Sequence, residues 1–152
     1  MSDSKIILGI ESSCDDTSCA LVADGKDVLS CVVASQIDLH QRFGGIVPEV
    51  ASRANIEAIN TVIGQAMDEA GIQAGRVDAI AVTNEPGLIG SLLVGLMAAK
   101  TLAWVGDGPV IGVNHVAAHV YAARLADEHN AKPALVPVRP CGHHAREPRA
   151  GP

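Results

Sequence analysis

The sequence predicts an α/β domain built on a mixed sheet, and three observations carry that prediction. An apolar, β-branched run opens the chain and is followed by two more strand-like runs joined through Asp-Gly. After Pro48 the hydrophobic period changes to that of a helix. Beyond residue 76, short apolar runs alternate with helical segments. The 152 residues are 48% hydrophobic, enough for one domain with a real core. Phe43, Trp104 and Tyr121 are the only aromatics, so aliphatic side chains must build that core. Seventeen acids against eleven Lys and Arg give a net charge of −6. That balance excludes a broad basic groove for nucleic acid on this chain alone, though a local patch or a partner stays open.

Lys5–Ile10 is a continuous Ile/Leu-rich run, as expected for a central strand buried on both faces. Glu11 to Asp16 is a polar turn. Thr17–Val22 and Val28–Val33 read as two further strands, joined across Ala23-Asp24-Gly25-Lys26, where Asp-Gly suits a tight hairpin. Three antiparallel strands thus open the fold. From Pro48, apolar residues at Ala51, Ala54, Ile59, Val62, Ile63, Ala66, Met67 and Ala70 recur at helical spacing. Pro48 suits the first turn, Glu49 the positive helix end, and Gly71 the stop. Val77–Thr83 is the next strand. Gly87–Gly106, bounded by Pro86 and carrying Lys100 as its only charge, is long enough for a membrane span. Its four glycines and its place in an αβ alternation favour a buried helix instead. Val110–Val113 is a short strand, Asn114 a helix N-cap, and His115–His129 a helix. The order βββαβαβα is that of one lobe of the actin-like ATPase (ASKHA, RNase H-like) architecture.

Composition changes near residue 132. Residues 1–132 carry sixteen acids and eight bases, whereas residues 133–152 carry Arg139, Arg146 and Arg149 against Glu147. Five of the eight prolines also lie in those last twenty residues. The expected organisation is a lobe over 1–132 and a disordered, Pro/Arg-rich tail over 133–152. Cys14, Cys19, Cys31 and Cys141 form no CxxC pair, and reduced thiols in a cytoplasmic protein are the expectation. The apolar run at the start is too short, and too closely followed by acids, for a secretory signal.

Several segments offer chemistry. The turn Glu11-Ser12-Ser13-Cys14-Asp15-Asp16 exposes amides and hydroxyls that can hold a phosphate or carboxylate, with Ser12 and Ser13 the candidate contacts. Composition alone favours an ordinary Ser/Asp-rich hairpin turn, and two adjacent acids repel a phosphate unless a metal intervenes. His40 to Glu49 and Asn84 to Ser91 are glycine-bearing entries into helices. Their amides suit an anion, but chain turning and tight packing explain the glycines as well. The sharper signal is Asn114-His115-Val116-Ala117-Ala118-His119, which puts two imidazoles one turn apart on one helix face, within reach of a single metal ion. Two unrelated surface histidines are the alternative. The position at the carboxyl end of a strand favours a ligand. Cys141-Gly142-His143-His144 looks metal-like but sits in the tail without apolar period.

Taken in order, ILGIESSCDDTSCALV, HQRFGGIVPEVASR, PGLIGSLLVGLMAAKTLA and GVNHVAAHVYA resemble the amino-terminal part of the tRNA threonylcarbamoyl transferases, the TsaD/Gcp/YgjD family, over roughly residues 5–130. The resemblance implies a two-lobed actin-like fold. It also implies transfer of the threonylcarbamoyl group from threonylcarbamoyl-AMP to N6 of adenosine 37 in tRNAs reading codons that begin with A. It makes His115 and His119 ligands of a divalent metal, iron or zinc. Glu11 becomes the loop residue expected to serve catalysis. TsaB and TsaE-type proteins become the expected partners beside tRNA, with no membrane. Asn55 stands where the family usually has His, and Asn84-Glu85 precedes Pro-Gly where a glycine is usual. The family's next strand, its Ser-Gly-Gly-His-Thr nucleotide loop and a later Asp that supplies the third ligand have no counterpart here. Ala134-Leu135-Val136-Pro137-Val138-Arg139-Pro140 stands in their place, and a broken reading frame near 133–139 is the expectation.

Two other functions compete. A metallopeptidase, the family's historical label, needs a general base beside the first histidine, and Val116, Ala117 and Ala118 supply none. A non-catalytic lobe that binds partner proteins is the stronger alternative, because half of an interlobe cleft cannot enclose a donor nucleotide.

Overall fold

The computed structural model describes residues 4–126. The expected boundary at residue 132, the tail and its Cys141–His144 cluster lie outside the described residues. Five strands form one sheet: β1 (Ile6–Glu11), β2 (Asp16–Ala23), β3 (Asp27–Ser35), β4 (Ala79–Glu85) and β5 (Val110–Asn114). Their order is β3-β2-β1-β4-β5, with β1, β2 and β3 antiparallel and β4 and β5 parallel to β1. The hairpin between β2 and β3 takes positive φ at Asp24 and Gly25, 52° and 74°, the left-handed pair that an Asp-Gly turn provides.

Four helices complete the described chain: α1 (Ile37–Gln41), α2 (Pro48–Ala70), α3 (Ile89–Gly106) and α4 (His115–Ala126). The expected helix after Pro48 runs to Ala70 and stops on Gly71 at φ 66°, whose amide donates back to Asp68 and Met67 carbonyls. α1 and a 3-10 turn at Ala74–Arg76 were not expected; each is too short to show an apolar period.

α2 and α3 pack against one face of the sheet. Ile6, Leu8 and Ile10 of β1, Cys19 and Leu21 of β2, and Ile80 and Val82 of β4 meet Ile59, Val62, Ile63 and Ala66 of α2 there. β1 is therefore central, but it is fully buried on one face only. Ile7, Gly9 and Glu11 on the other face are half-buried, where α4 packs mainly on β4 and β5. α3 also departs from expectation. By length and composition it is the one described helix apolar enough to cross a membrane, and it packs on α2 and the sheet. Only a stripe of small residues, Ser91, Gly95, Ala99 and Ala103, is buried. Ile89, Leu93, Met97 and Trp104 are exposed.

The sheet's lower edge is tied by Asp78, which accepts hydrogen bonds from Lys5 Nζ at 2.6 Å and from the Ile6 amide at 2.9 Å. These bonds hold its carboxyl below the usual value of 3.8. The native pKa is the lower one, so the stabilisation is complete above the ordinary value and lost as pH falls through the native value. Asp78→Asn is expected to lower Tm at pH 7. The gap from the parent closes in strong acid, as thermal melts across pH will show.

Candidate functional site

The site forms where three parallel strands end. The register pairs Ile10 with Val82 and Thr83 with Val113, so Glu11, Thr83 and Val113 stand side by side on the face away from α2 and α3. His115 follows two residues after Val113, as β5 passes into α4. Asn114 performs the predicted capping: its Oδ1 accepts from the amides of Val116 at 3.0 Å and Ala117 at 3.1 Å. A trough of about 440 Å³ opens beside this point, walled by Gly9, Ala20, Ala81, Val113, Ala118 and His119.

His115 and His119 converge as their i, i+4 spacing predicts. Their Nε2 atoms are 3.1 Å apart and the rings meet edge to face. Two nitrogens side by side on one ion, each at about 2.0–2.1 Å, lie roughly 2.9–3.4 Å apart, so the pair fits a metal. Among the described residues no cluster of three or more His, Cys, Asp or Glu is arranged to hold an ion.

Glu11 stands behind His115. Its Oε2 is 3.0 Å from His115 Nδ1 and also accepts a hydrogen bond from Thr83 Oγ1, while Oε1 accepts from the Ser13 amide. Burial pushes the carboxyl up, but the hydrogen bonds from Ser13, Thr83 and His115 outweigh it and hold Glu11 below its ordinary value of 4.5. Both oxygens are thus engaged by protein donors. That arrangement suits orienting His115 better than the reactive role expected for Glu11.

The two serines part company. Ser13 turns its Oγ to within 3.1 Å of His115 Nδ1 and belongs to the site. Ser12 faces α3, where its hydroxyl donates to the Ser91 carbonyl at 2.8 Å and accepts from the Gly95 amide at 3.0 Å. It therefore sits across one turn of the helix ladder and is buried. The Ser12 side chain joins loop to helix, and both its donor and an acceptor position are taken up there rather than turned toward the trough. Gly87, before α3, and Gly95, within it, serve that packing. A Cβ on Gly87 would come within 2.6 Å of the Ser13 carbonyl, and one on Gly95 within 2.5 Å of Ser12 Oγ. Gly95→Ala is expected to destabilise the fold by about 1–3 kcal/mol despite alanine's better helix propensity. Urea titration checks this, and a Ser12→Ala background should recover part of the loss.

Sequence reasoning missed Thr83, and noted Asn55 only as a departure from the family's His, without its role. Thr83 is legible only once β1 and β4 are paired in parallel. Asn55 is fully buried in α2 and holds the Glu11–Asp16 loop from below. Its Oδ1 accepts from Thr17 Oγ1 and Gln36 Nε2, both at 2.7 Å, and its Nδ2 donates to the Ser12 and Cys14 carbonyls at 3.4 and 3.3 Å.

An open α/β sheet flanked by helices, with paired imidazoles at the carboxyl ends of its parallel strands, defines one lobe of an actin-like protein. YeaZ from Pseudomonas aeruginosa shares this fold, with a TM-score of 0.59 at 21% identity over 79% of this chain and 50% of that one. The family model for tRNA N6-adenosine threonylcarbamoyltransferase, TsaD, matches residues 27–145, and the chain belongs to that family. The match runs past residue 132. Relatives named tRNA N6-adenosine threonylcarbamoyltransferase include those of Desulforapulum autotrophicum, 53% identical over 138 residues, and Syntrophobacter fumaroxidans, 55% identical over 140. These alignments cover 91% and 92% of this chain and 41% of each relative. The chain thus spans about two fifths of the length of the curated relatives it matches.

Proposed function

We propose that this chain is the metal-bearing lobe of an enzyme that transfers threonylcarbamoyl from threonylcarbamoyl-AMP to N6 of adenosine 37 in tRNAs reading codons that begin with A. Family membership supports the reaction class. The observation that carries the site is the convergence of His115 and His119 Nε2 at 3.1 Å. An iron or zinc ion held there would supply Lewis-acid polarisation of the donor's phosphate and carbonyl. The chain's own residues orient the first imidazole through Glu11, present the Ser13 hydroxyl beside it, and hold the turn rigid through Ser12 and Asn55. As the lobe of a tRNA-modifying enzyme, the chain is proposed to act in the cytoplasm.

By itself the 152-residue chain is proposed to be inactive and to bind TsaB and TsaE-type partners. It contains no Ser-Gly-Gly-His-Thr loop. The exposed Ile89, Leu93 and Met97 of α3 supply apolar surface suited to a protein partner. A peptidase reading gains nothing from the geometry, because Glu11 meets Nδ1 of His115 and is committed to protein donors.

The test joins residues 1–132 to the second lobe of the Desulforapulum autotrophicum relative and adds tRNA, donor and both partner proteins. Threonylcarbamoyladenosine in the digested tRNA is expected from the chimera and absent with the 152-residue chain. Product from the chain alone overturns its proposed inactivity. A folded chimera without product overturns the transferase reading.

A further inference from the structure

We propose that Thr83 is a positioning residue which, through Glu11, fixes the tautomer of His115 so that Nε2 keeps its lone pair for a metal. This rests on the reading of His115 and His119 as metal ligands. The nitrogen that decides the tautomer, His115 Nδ1, has two oxygens within hydrogen-bond reach: Glu11 Oε2 at 3.0 Å and Ser13 Oγ at 3.1 Å. They have opposite consequences. A carboxylate only accepts, so facing Glu11 obliges Nδ1 to carry the proton and leaves Nε2 bare. A hydroxyl also donates. If Ser13 donates to Nδ1, the proton moves to Nε2, the atom that points at His119, and the pair no longer offers two lone pairs to one ion.

Thr83 decides between these arrangements. Its Oγ1 donates to the same Glu11 oxygen that faces Nδ1, so one carboxylate oxygen is held by the threonine and the imidazole together. Thr83 is 4% exposed, so water competes little for the bond. Its backbone sits in the middle of the sheet, with β4 hydrogen-bonded to β1 on one side and β5 on the other. Strand pairing therefore fixes where the hydroxyl stands, and the hydroxyl fixes where the carboxylate stands. Removing it leaves Oε2 held by the imidazole alone, with Glu11 still tethered through Oε1 to the Ser13 amide, and lets the Ser13 hydroxyl compete for Nδ1. Outer partners of metal-binding histidines act in this way, and their loss typically weakens metal affinity by 10- to 100-fold.

The experiment uses the 152-residue chain, its Thr83→Val and Thr83→Ser variants, and Co²⁺ as the only added metal. Long-range proton–nitrogen correlations of the imidazole rings, recorded without metal, report the His115 tautomer directly. The parent is expected to show the Nδ1–H form. Thr83→Val is expected to show a mixture of both tautomers and a 10- to 100-fold loss of Co²⁺ affinity. Thr83→Ser, which restores the hydroxyl, is expected to keep the parent tautomer and an affinity within about threefold. An Nε2–H parent, or an unchanged tautomer in a folded Thr83→Val, overturns the proposal. If Thr83→Val does not fold, Thr83→Ser and Glu11→Leu, which removes the acceptor, decide. A serine variant that loses the Nδ1–H form, or a folded Glu11→Leu that keeps it unmixed, is equally fatal. A tautomer that shifts as expected in a chain that binds no Co²⁺ leaves the positioning role standing and removes the metal reading instead.

Discussion

Replacing His115 or His119 by alanine is expected to abolish the response of the chain to divalent metal, each substitution alone costing nearly as much as the pair. A metal that binds the native state at one hundred times its Kd adds about 2.7 kcal/mol of stability, which raises Tm by roughly 8 °C for a chain of this size. The parent is expected to show that rise with Co²⁺ or Zn²⁺. A chain left with one imidazole should show almost none, because the second nitrogen, 3.1 Å from the first, is what makes the pair a chelate. The double variant then adds little further, since the ion has already been lost. Calorimetric titration gives the same result as an affinity lowered by at least about 100-fold in each single variant. Two unrelated histidines would behave otherwise, each binding weakly and losses simply adding. Additive, small effects would sink the shared site. The metal-free Tm is a control for the folding role of each ring. His119 is exposed, so its loss should leave that Tm almost unchanged. His115 removes a partner of Glu11 and should lower it modestly.

The histidine pair was legible because helical spacing alone brings residues i and i+4 together, and the capping residue Asn114 announces the helix. The same holds for the strands and for α2, whose apolar period is long enough to outweigh local exceptions. What the sequence could not show depends on contacts between distant elements. Thr83 and Glu11 are 72 residues apart and meet only through the parallel pairing of β4 with β1. Ser12 and Ser13 are chemically identical neighbours, yet successive side chains point to opposite sides. One therefore enters α3 and the other enters the site. α3 misled for a different reason. Its composition is apolar all round, which reads as burial, but among the described residues only α2 and the sheet cover it. Asn55 stood out only as a departure from the family's usual His, and its structural role was not legible. A polar residue within a helical apolar pattern looks like a break in the pattern, and here it is the most buried polar side chain of α2.

Asn55→Leu, nearly the same in volume, is expected to destabilise the chain by about 3–5 kcal/mol, the largest stability effect of any substitution considered. The asparagine amide uses its full capacity, two bonds accepted and two donated, at zero exposure. A leucine keeps the packing but removes the partner of the fully buried Thr17 hydroxyl, of one donor of Gln36 and of the Ser12 carbonyl, and one bond to the Cys14 carbonyl. Each unsatisfied buried group costs about 1–3 kcal/mol, and partial relaxation brings the total below the simple sum. The loss is a large fraction of the 5–15 kcal/mol that holds a typical domain together. Urea titration measures it, and a Thr17→Val partner substitution tests its cause. With both polar groups gone, Thr17→Val/Asn55→Leu should recover about 1 kcal/mol or more of the single-variant loss. No recovery would mean that packing, rather than stranded hydrogen bonds, sets the cost. The consequence reaches the site as well. Asn55 tethers the backbone of Ser12 and Cys14, on either side of Ser13 and next to Glu11, so a folded Asn55→Leu should also bind Co²⁺ more weakly than the parent. The direct path from α2 to His115 runs through that one turn, and a variant that loses stability while keeping full affinity would show that β4 and β5 hold the imidazoles without it.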